Sequence, residues 1–325
     1  VRAKRPAGAR ATGMRIIHGL DEVAPTARGA SAALGNFDGV HRGHQALVRM
    51  AARQGDPVGA ITFEPHPRRT FQQHAPPFRL TTLAAKARIL ERHGVDLLFV
   101  LPFDRTMAGM EAEDFVHGVL VGALALSHVV VGQDFRFGKG RRGDAVMLRR
   151  MGHELGLGVT IHDLVGDESG EFASTAVRVM IEEGRCEDAA RALGRWHAVT
   201  GAVVEGDRRG RALGYPTANL DFGEQLIPHY GVYAAWIDVL EGPCRGRHAG
   251  VVSVGERPTF GVNAPNFEAH LFDFDGDLYG TEIEVSLVRF LRGEATYADA
   301  SALIAQMDRD SAQARDALAT VAPPG

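Results

Sequence analysis

Two histidines, His41 and His44, follow a turn rich in small residues, Gly35-Asn36-Phe37-Asp38-Gly39, and open a helix-like pattern (Val40, Leu47, Val48, Ala51). The apolar run Ala32-Ala33-Leu34 leads into Gly35, so the local order is strand, turn, helix. Glycines let backbone N–H groups approach a polyphosphate closely, and the unpaired N–H groups of a first helical turn favour its negative charge. At a spacing of three the imidazoles share one helix face, and Gly43 between them leaves room for a bulky ligand. His-x-Gly-His alone is a common accident; its weight comes from the string around it.

Other stretches carry chemistry of the same kind. Glu64-Pro65-His66-Pro67 follows the buried strand pattern Gly59–Phe63, and its prolines impose a rigid loop. Gln133–Asp144 follows Val129–Gly132 and sets Asp134, Phe135 and Phe137 among glycines and four cations, as a planar ring beside a phosphate requires. Ser174 and Thr175 precede a helical pattern ending at Gly184, where either serves as a cap. Gly206–Leu220 supplies flexible backbone and cations for phosphates. Within it Thr217 and Asn219 sit two apart, so in an extended segment their oxygens face one side and suit Mg²⁺ held mainly by nucleotide. Farther on, Glu268, His270, Phe272 and Phe274 share a strand face by alternation. Each stretch has a plain counterpart: a loop histidine, a solvated basic loop, a helix cap, a hairpin turn, an exposed strand face.

The strings GNFDGVHRGH, TFEPHPRR, DFRFGKGRRGD, STAVR, GRALGYPTAN and GERPT, in this order, resemble the bacterial bifunctional FAD synthetases, which join an FMN adenylyltransferase to a riboflavin kinase. The resemblance runs from Met14 to about Val321. It implies an N-terminal Rossmann-like nucleotidylyltransferase domain with a parallel α/β sheet, and a small C-terminal antiparallel β-barrel with a terminal helix. ATP and Mg²⁺ would serve both halves, with riboflavin, FMN and FAD as substrates and products. In the adenylyltransferase, His41 and His44 would be catalytic. Gly35, Asn36, Phe37, Asp38, Gly43, Ser174, Thr175 and Arg178 would bind ATP; Phe63, His66, Asp134, Phe135 and Phe137 would face flavin. In the kinase, Gly206, Gly210, Arg211, Gly214, Tyr215 and Pro216 would bind phosphate, Thr217 and Asn219 the metal, and Glu268 would be the general base. Two departures stand out: Ala173 replaces a frequent serine, and Glu256 occupies a place usually held by a small residue. Three rival readings remain: an adenylyltransferase whose barrel only binds flavin, an enzyme acting on another phosphorylated alcohol such as a pantetheine phosphate, and a non-enzymatic flavin-binding regulator.

The surrounding pattern must position these groups. Residues 14–185 alternate apolar runs with helical stretches, including a helix over Thr82–Gly94, a strand over Val95–Leu101 and a helix over Ala112–Leu126, as a parallel α/β sheet demands. A linker helix is expected at 186–198, and 199–322 reads as the barrel, with strands near His197–Val204, Gly231–Leu240, His248–Val254, Phe267–Phe274 and Ile283–Leu291. Tyr297–Val321 reads as a helix with Ile304, Met307, Ala314 and Leu318 on one side. Residues 1–13 are basic and acid-free and are expected to be a disordered extension ahead of Met14 as the natural start. A length of 325 residues suffices for two cores, and a formal charge of −4 gives no reason to expect nucleic-acid or acidic-membrane binding. The longest apolar stretch, Val119–Gly132, is broken by Ser127 and His128 and is too short for a bilayer. Two distant cysteines, Cys186 and Cys244, suit a reducing cytoplasm, and weak self-association is left open.

Overall fold

The computed structural model describes residues 13–21, 23–163, 165–167, 170–206, 214–259 and 262–321. The expected leader falls outside these apart from Gly13, and so do Gly210 and Arg211 of the proposed phosphate loop. The chain divides into two compact units: Val1–His74 with Lys86–Val165, and Ala75–Ala85 with Gly166–Gly325. This packing boundary does not coincide with the one drawn from sequence at 185.

The first unit is built on a six-stranded parallel sheet. Its elements are β1 (Arg15–His18), β2 (Ser31–Leu34), α1 (Arg42–Gln54), β3 (Val58–Glu64), α2 (Pro67–Phe71), α3 (Leu83–Arg92, of which the part from Lys86 belongs to this unit), β4 (Leu97–Pro102), β5 (His128–Gly132), α4 (Ala145–Leu155) and β6 (Gly158–His162). The strand order is β1-β4-β3-β2-β5-β6. β2 and β3 are almost wholly buried, which explains their unbroken apolar sequences: helices cover both faces of a parallel sheet. From β2 the chain winds outward through β3 and β4; from β5 it winds the other way to β6. The order therefore reverses between β2 and β5, and ligands of open parallel sheets bind outside the strand ends at such a switch. The helix expected over Ala112–Leu126 is present but widens: Phe115–Ala123 is a π-helix, and the Leu124 N–H reaches back five residues to the Val119 carbonyl (2.9 Å).

In the second unit, α5 (Ser174–Glu182) and α6 (Cys186–Leu193) pack through Val177, Ile181, Ala189 and Leu193 onto Leu80 and Leu226. Ala173 is the N-cap of α5 and its side chain makes no cap, so Ser174 and Thr175 stand at the first two helical positions and not at the cap position. Gly194, left-handed at φ 72°, ends α6, and His197 already begins a strand. Six strands then close an antiparallel barrel: β7 (His197–Val204), β8 (Ala218–Asp221), β9 (Gly231–Val239), β10 (Gly246–Thr259), β11 (Val262–Leu271) and β12 (Glu282–Arg292), in the order β7-β8-β11-β10-β9-β12. β12 pairs back onto β7, removing the open edges. Val199, Tyr233, Val252, Phe267 and Val285 fill the interior. The terminal helix α7 (Ala300–Ala319) is capped by Asp299 and lays Ala314, Ala317 and Leu318 on Ala234, Phe272 and Val288.

Candidate active sites

The Gly35–Val40 turn leaves the carboxyl end of β2, beside the switch point. His41 is the N-cap of α1: its Nδ1 accepts the backbone N–H of His44 (3.4 Å). His41 thus lies just outside the helix and His44 in its first turn, yet the two rings meet, stacked with centroids 3.7 Å apart. Phe37 leans on His44, tilted, at 5.0 Å. Phe37 and Val40 take left-handed φ values of 49° and 42°, with Gly39 at 79°. Strain of this kind persists only where neighbours over-determine it. Here Gln45 Nε2 donates to the Val40 carbonyl (2.9 Å) and Thr62 Oγ1 to the Asn36 carbonyl (3.0 Å). Asp38 and His41 are buried, Asn36 is exposed, and Gly35 and Gly43 are half-buried. His44 Nδ1 is buried without a hydrogen-bond partner. Its pKa is held well below the ordinary histidine value, first by burial, then by His41, then by Lys86. The ring therefore waits neutral, with one nitrogen unsatisfied, at the mouth of a helix.

The aromatic residues gather at the ends of the strands beside β2. Phe63, near the end of β3, meets Phe103 edge-on at 5.7 Å and Phe115 at 6.4 Å; Phe115 touches Phe137, and Phe135 stacks on Phe137 at 5.5 Å. Phe137 is part of the core, so Phe135 is the half-open ring of the pair, while Asp134 is exposed. His66 is buried and caps α2, its Nδ1 accepting the Arg68 N–H (3.1 Å). Two of the four loop cations are paired on the surface: Arg136 with Asp144 (3.3 Å) and Lys139 with Glu111 (3.2 Å). Ser174, Thr175 and Arg178 belong to the second unit, where Arg178 Nε donates to the Phe78 carbonyl (2.8 Å).

On the barrel, β8 and β11 bring the kinase candidates together. Asn219 stands directly opposite Glu268 in the ladder, so their side chains share a face, while Ala218, Leu220, Phe267 and Ala269 point into the barrel. Glu268 accepts from Thr217 Oγ1 (3.3 Å) and from Asn266 Nδ2 (2.8 Å). Asn219 is only 7% exposed and abuts Gly206, where a side chain would collide with its amide. The adjoining Gly214-Tyr215-Pro216 segment is fastened at both ends of Tyr215: its hydroxyl donates to Asp308 on α7, and its ring lies 5.0 Å from His270. His270 Nδ1 in turn donates to the Pro216 carbonyl (2.9 Å). The expected face of four residues ends early. Asp273 turns left-handed (φ 54°), so Phe272 stays on the side of His270 and packs under α7, whereas Phe274 packs against the barrel core. Glu256 is exposed and faces Tyr230, whose hydroxyl is pushed up by burial and then by that carboxylate.

Sequence reasoning passed over Lys86, Thr62 and Asn266. The signal for Lys86 was present: it takes the middle place of the Leu83, Lys86, Leu90 stripe, where a helix buries its side chains. Among the described residues no helix is long and apolar enough to cross a membrane.

Residues 23–176 match the family model described as FAD synthetase, and 193–318 the one described as riboflavin kinase. The chain is 38% identical over 308 residues to the bifunctional riboflavin kinase/FMN adenylyltransferase of Escherichia coli K12, covering 93% of this chain and 97% of that one. It is 36% identical over 307 residues to the Pseudomonas fluorescens protein of the same name, with coverage of 93% and 97%. A Streptococcus pneumoniae crystal structure described as a macrolide-efflux protein superposes with a TM-score of 0.82 at 29% identity, over 94% of this chain and 99% of that one. With both halves matched in order and nearly full-length relatives above 30% identity, the chain belongs to the bifunctional riboflavin kinase/FMN adenylyltransferase family.

Proposed function

We propose that the two reactions of this family run on separate groups of residues. The chain phosphorylates riboflavin with ATP to FMN and adenylylates FMN with ATP to FAD and pyrophosphate. Adenylyl transfer is assigned to the Gly35–His44 loop and the aromatics beside it, phosphorylation to the β8–β11 face of the barrel. The observation that carries the first assignment is the buried, unpartnered Nδ1 of His44 at the loop mouth. A phosphate oxygen there would satisfy that nitrogen and favour its protonated form. The phosphate of FMN is already an anion, so its attack on the α-phosphorus needs no strong base. Catalysis comes from holding the partners in line and offsetting phosphate charge with the imidazoles and the α1 N-terminus.

On the barrel, Glu268 is positioned by Thr217 and Asn266 to accept the proton of the ribityl 5′-hydroxyl. In a loose phosphoryl-transfer transition state that proton leaves late, so placement counts for more than basicity. Thr217, Asn219 and Glu268 offer hard oxygen donors with a single carboxylate, which fits Mg²⁺ that keeps most of its ligands from nucleotide. When bound, Mg²⁺ neutralises phosphate charge there. A cytoplasmic setting is consistent with the free thiols of Cys186 and Cys244. Incubation with riboflavin, ATP and Mg²⁺ and chromatography of the flavins tests the assignment. From riboflavin, His41→Ala or His44→Ala is expected to accumulate FMN without FAD; Asn219→Ala is expected to form no FMN from riboflavin yet still convert supplied FMN to FAD. Loss of both reactions, riboflavin to FMN and supplied FMN to FAD, from any one of these changes in a folded protein overturns it.

A further inference from the structure

Lys86 is completely buried (0% exposed) in the middle of α3. Its Nζ donates to Thr62 Oγ1 (3.0 Å) and pairs with Glu64 at 3.4 Å. Thr62 and Glu64 are two apart on β3 and so face the same side. The Thr62 hydroxyl passes the interaction on, donating to the Asn36 carbonyl (3.0 Å) in the turn after β2. Burying an ammonium–carboxylate pair costs several kcal/mol of desolvation, and an apolar residue of similar volume often packs there with equal or better stability. Packing alone therefore gives no reason for a lysine at this place.

The geometry points to Lys86 as a positioning residue for adenylyl transfer, acting through Thr62 on the first peptide of the phosphate loop. The inference rests on reading Gly35–His44 as the nucleotide-phosphate site. A trans peptide sets its N–H opposite its carbonyl, so drawing the Asn36 carbonyl toward Thr62 turns the Phe37 N–H to the other side, as a donor whose direction is set before nucleotide arrives. A hydroxyl that accepts from an ammonium is also a stronger donor, which tightens the hold on a turn that must keep Phe37 and Val40 left-handed. Lys86 adds an interior positive charge close enough to His44 to help keep that imidazole neutral until an anion binds.

The test is steady-state FAD formation from supplied FMN by the full chain, with riboflavin phosphorylation measured in parallel. Lys86→Met is expected to lower kcat/KM for ATP roughly 10²-fold, raising KM for ATP and leaving KM for FMN unchanged. Thr62→Val should reproduce the pattern and Thr62→Ser recover most of it. Glu64→Gln combined with Lys86→Met should stay as low as Lys86→Met alone. Recovery in that double variant would mean that Lys86 only neutralises Glu64, and would overturn the inference. So would an unchanged KM for ATP with a lower kcat, the mark of less folded protein. His44→Ala separates the two levels. If His44→Ala lowers FAD formation while Lys86→Met leaves kcat/KM for ATP unchanged, the Lys86 inference alone fails; if neither change lowers it, the loop reading fails as well.

Discussion

Replacing Gly206 by alanine tests the kinase site with one methyl group. A Cβ built on Gly206 lies 2.5 Å from Cγ and 2.7 Å from Oδ1 of Asn219. Carbon atoms pack at about 3.5 Å or more, so one of the two groups must retreat by about 1 Å. Gly206 has no left-handed φ, so alanine is tolerated by the backbone itself. Asn219 has little room to give way gently: it is 7% exposed, and its strand pairs with β7 on one side and β11 on the other. The amide, as the end of a rotatable side chain, gives way before the paired backbone does, and it is the group that faces Glu268. A misplacement of about 1 Å near reacting groups costs on the order of 10²-fold in rate, and that is the loss expected in FMN formation from riboflavin. Conversion of supplied FMN to FAD should be untouched. The assay is flavin chromatography after timed incubation with ATP and Mg²⁺, run also on Asn219→Ala and on the double variant. Because the methyl acts through Asn219, its effect should vanish once that side chain is gone. A Gly206→Ala protein that makes FMN at the parental rate, or a double variant in which the two losses multiply, refutes the reasoning.

The remaining expectations use the same separation of products. His44→Ala should lower FAD formation roughly 10²- to 10³-fold while FMN accumulates, as for other losses of a charge-stabilising donor; chromatography of the mixed reaction reads both. Glu268→Gln keeps the shape and the Asn266 and Thr217 neighbours but removes the proton acceptor, so FMN formation should fall roughly 10²- to 10⁴-fold with FAD formation from FMN intact. His44 also ties stability to pH: its folded pKa is lowered, so the unfolded chain takes the proton first. The stability of the neutral ring is full above about pH 6.5 and is lost as pH falls below that. Thermal melts of the parent should drop over that range more steeply than those of His44→Asn. ATP binding near neutral pH should draw protons from solution, visible as a dependence of calorimetric enthalpy on the buffer's ionisation heat; no uptake would remove His44 from the phosphate site.

Much of this was legible because local chemistry and fold agree at the motifs. Gly35–His44 must be a strand end, a turn and a helix start to bind phosphate, and the apolar pattern on either side says the same. Turn signals and their spacing announced barrel strands at His197–Val204 and Gly231–Leu240, nearly their observed bounds. β6 was not legible: it is a sheet edge with every residue half-buried, so no face of it carries an apolar signal. Phe274 was placed on the wrong face because one left-handed residue, Asp273, breaks the alternation, and aspartate there resembles any turn residue. Ser174 looked like a cap but is the first helical residue, a shift of one position that residue preference cannot resolve. Lys86 was hidden by habit, since a helical lysine usually reaches solvent. Gly206 was read for flexibility, whereas its lack of a side chain is what gives the Asn219 amide its place.

The two halves meet one problem, a crowded negative charge, with different resources. A parallel sheet lines its strand ends along one edge and follows each with a helix, so β2 delivers a turn holding the buried Asp38, a helix N-terminus and two imidazoles at one point. An antiparallel barrel has no such common edge. Its strands run alternately up and down, and the β8–β11 face presents side chains, a hydroxyl, an amide and one carboxylate, whose repulsion of phosphate the proposed Mg²⁺ would offset. The metal dependence of the two products should then differ under mutation. Asn219→Asp adds charge to the barrel donors and should lower the Mg²⁺ concentration that half-saturates FMN formation, while the requirement for FAD formation, carried by nucleotide phosphates beside imidazoles, stays where it was. Equal shifts in both requirements, read from magnesium titrations of each product, would mean that Asn219 is not a donor to the metal.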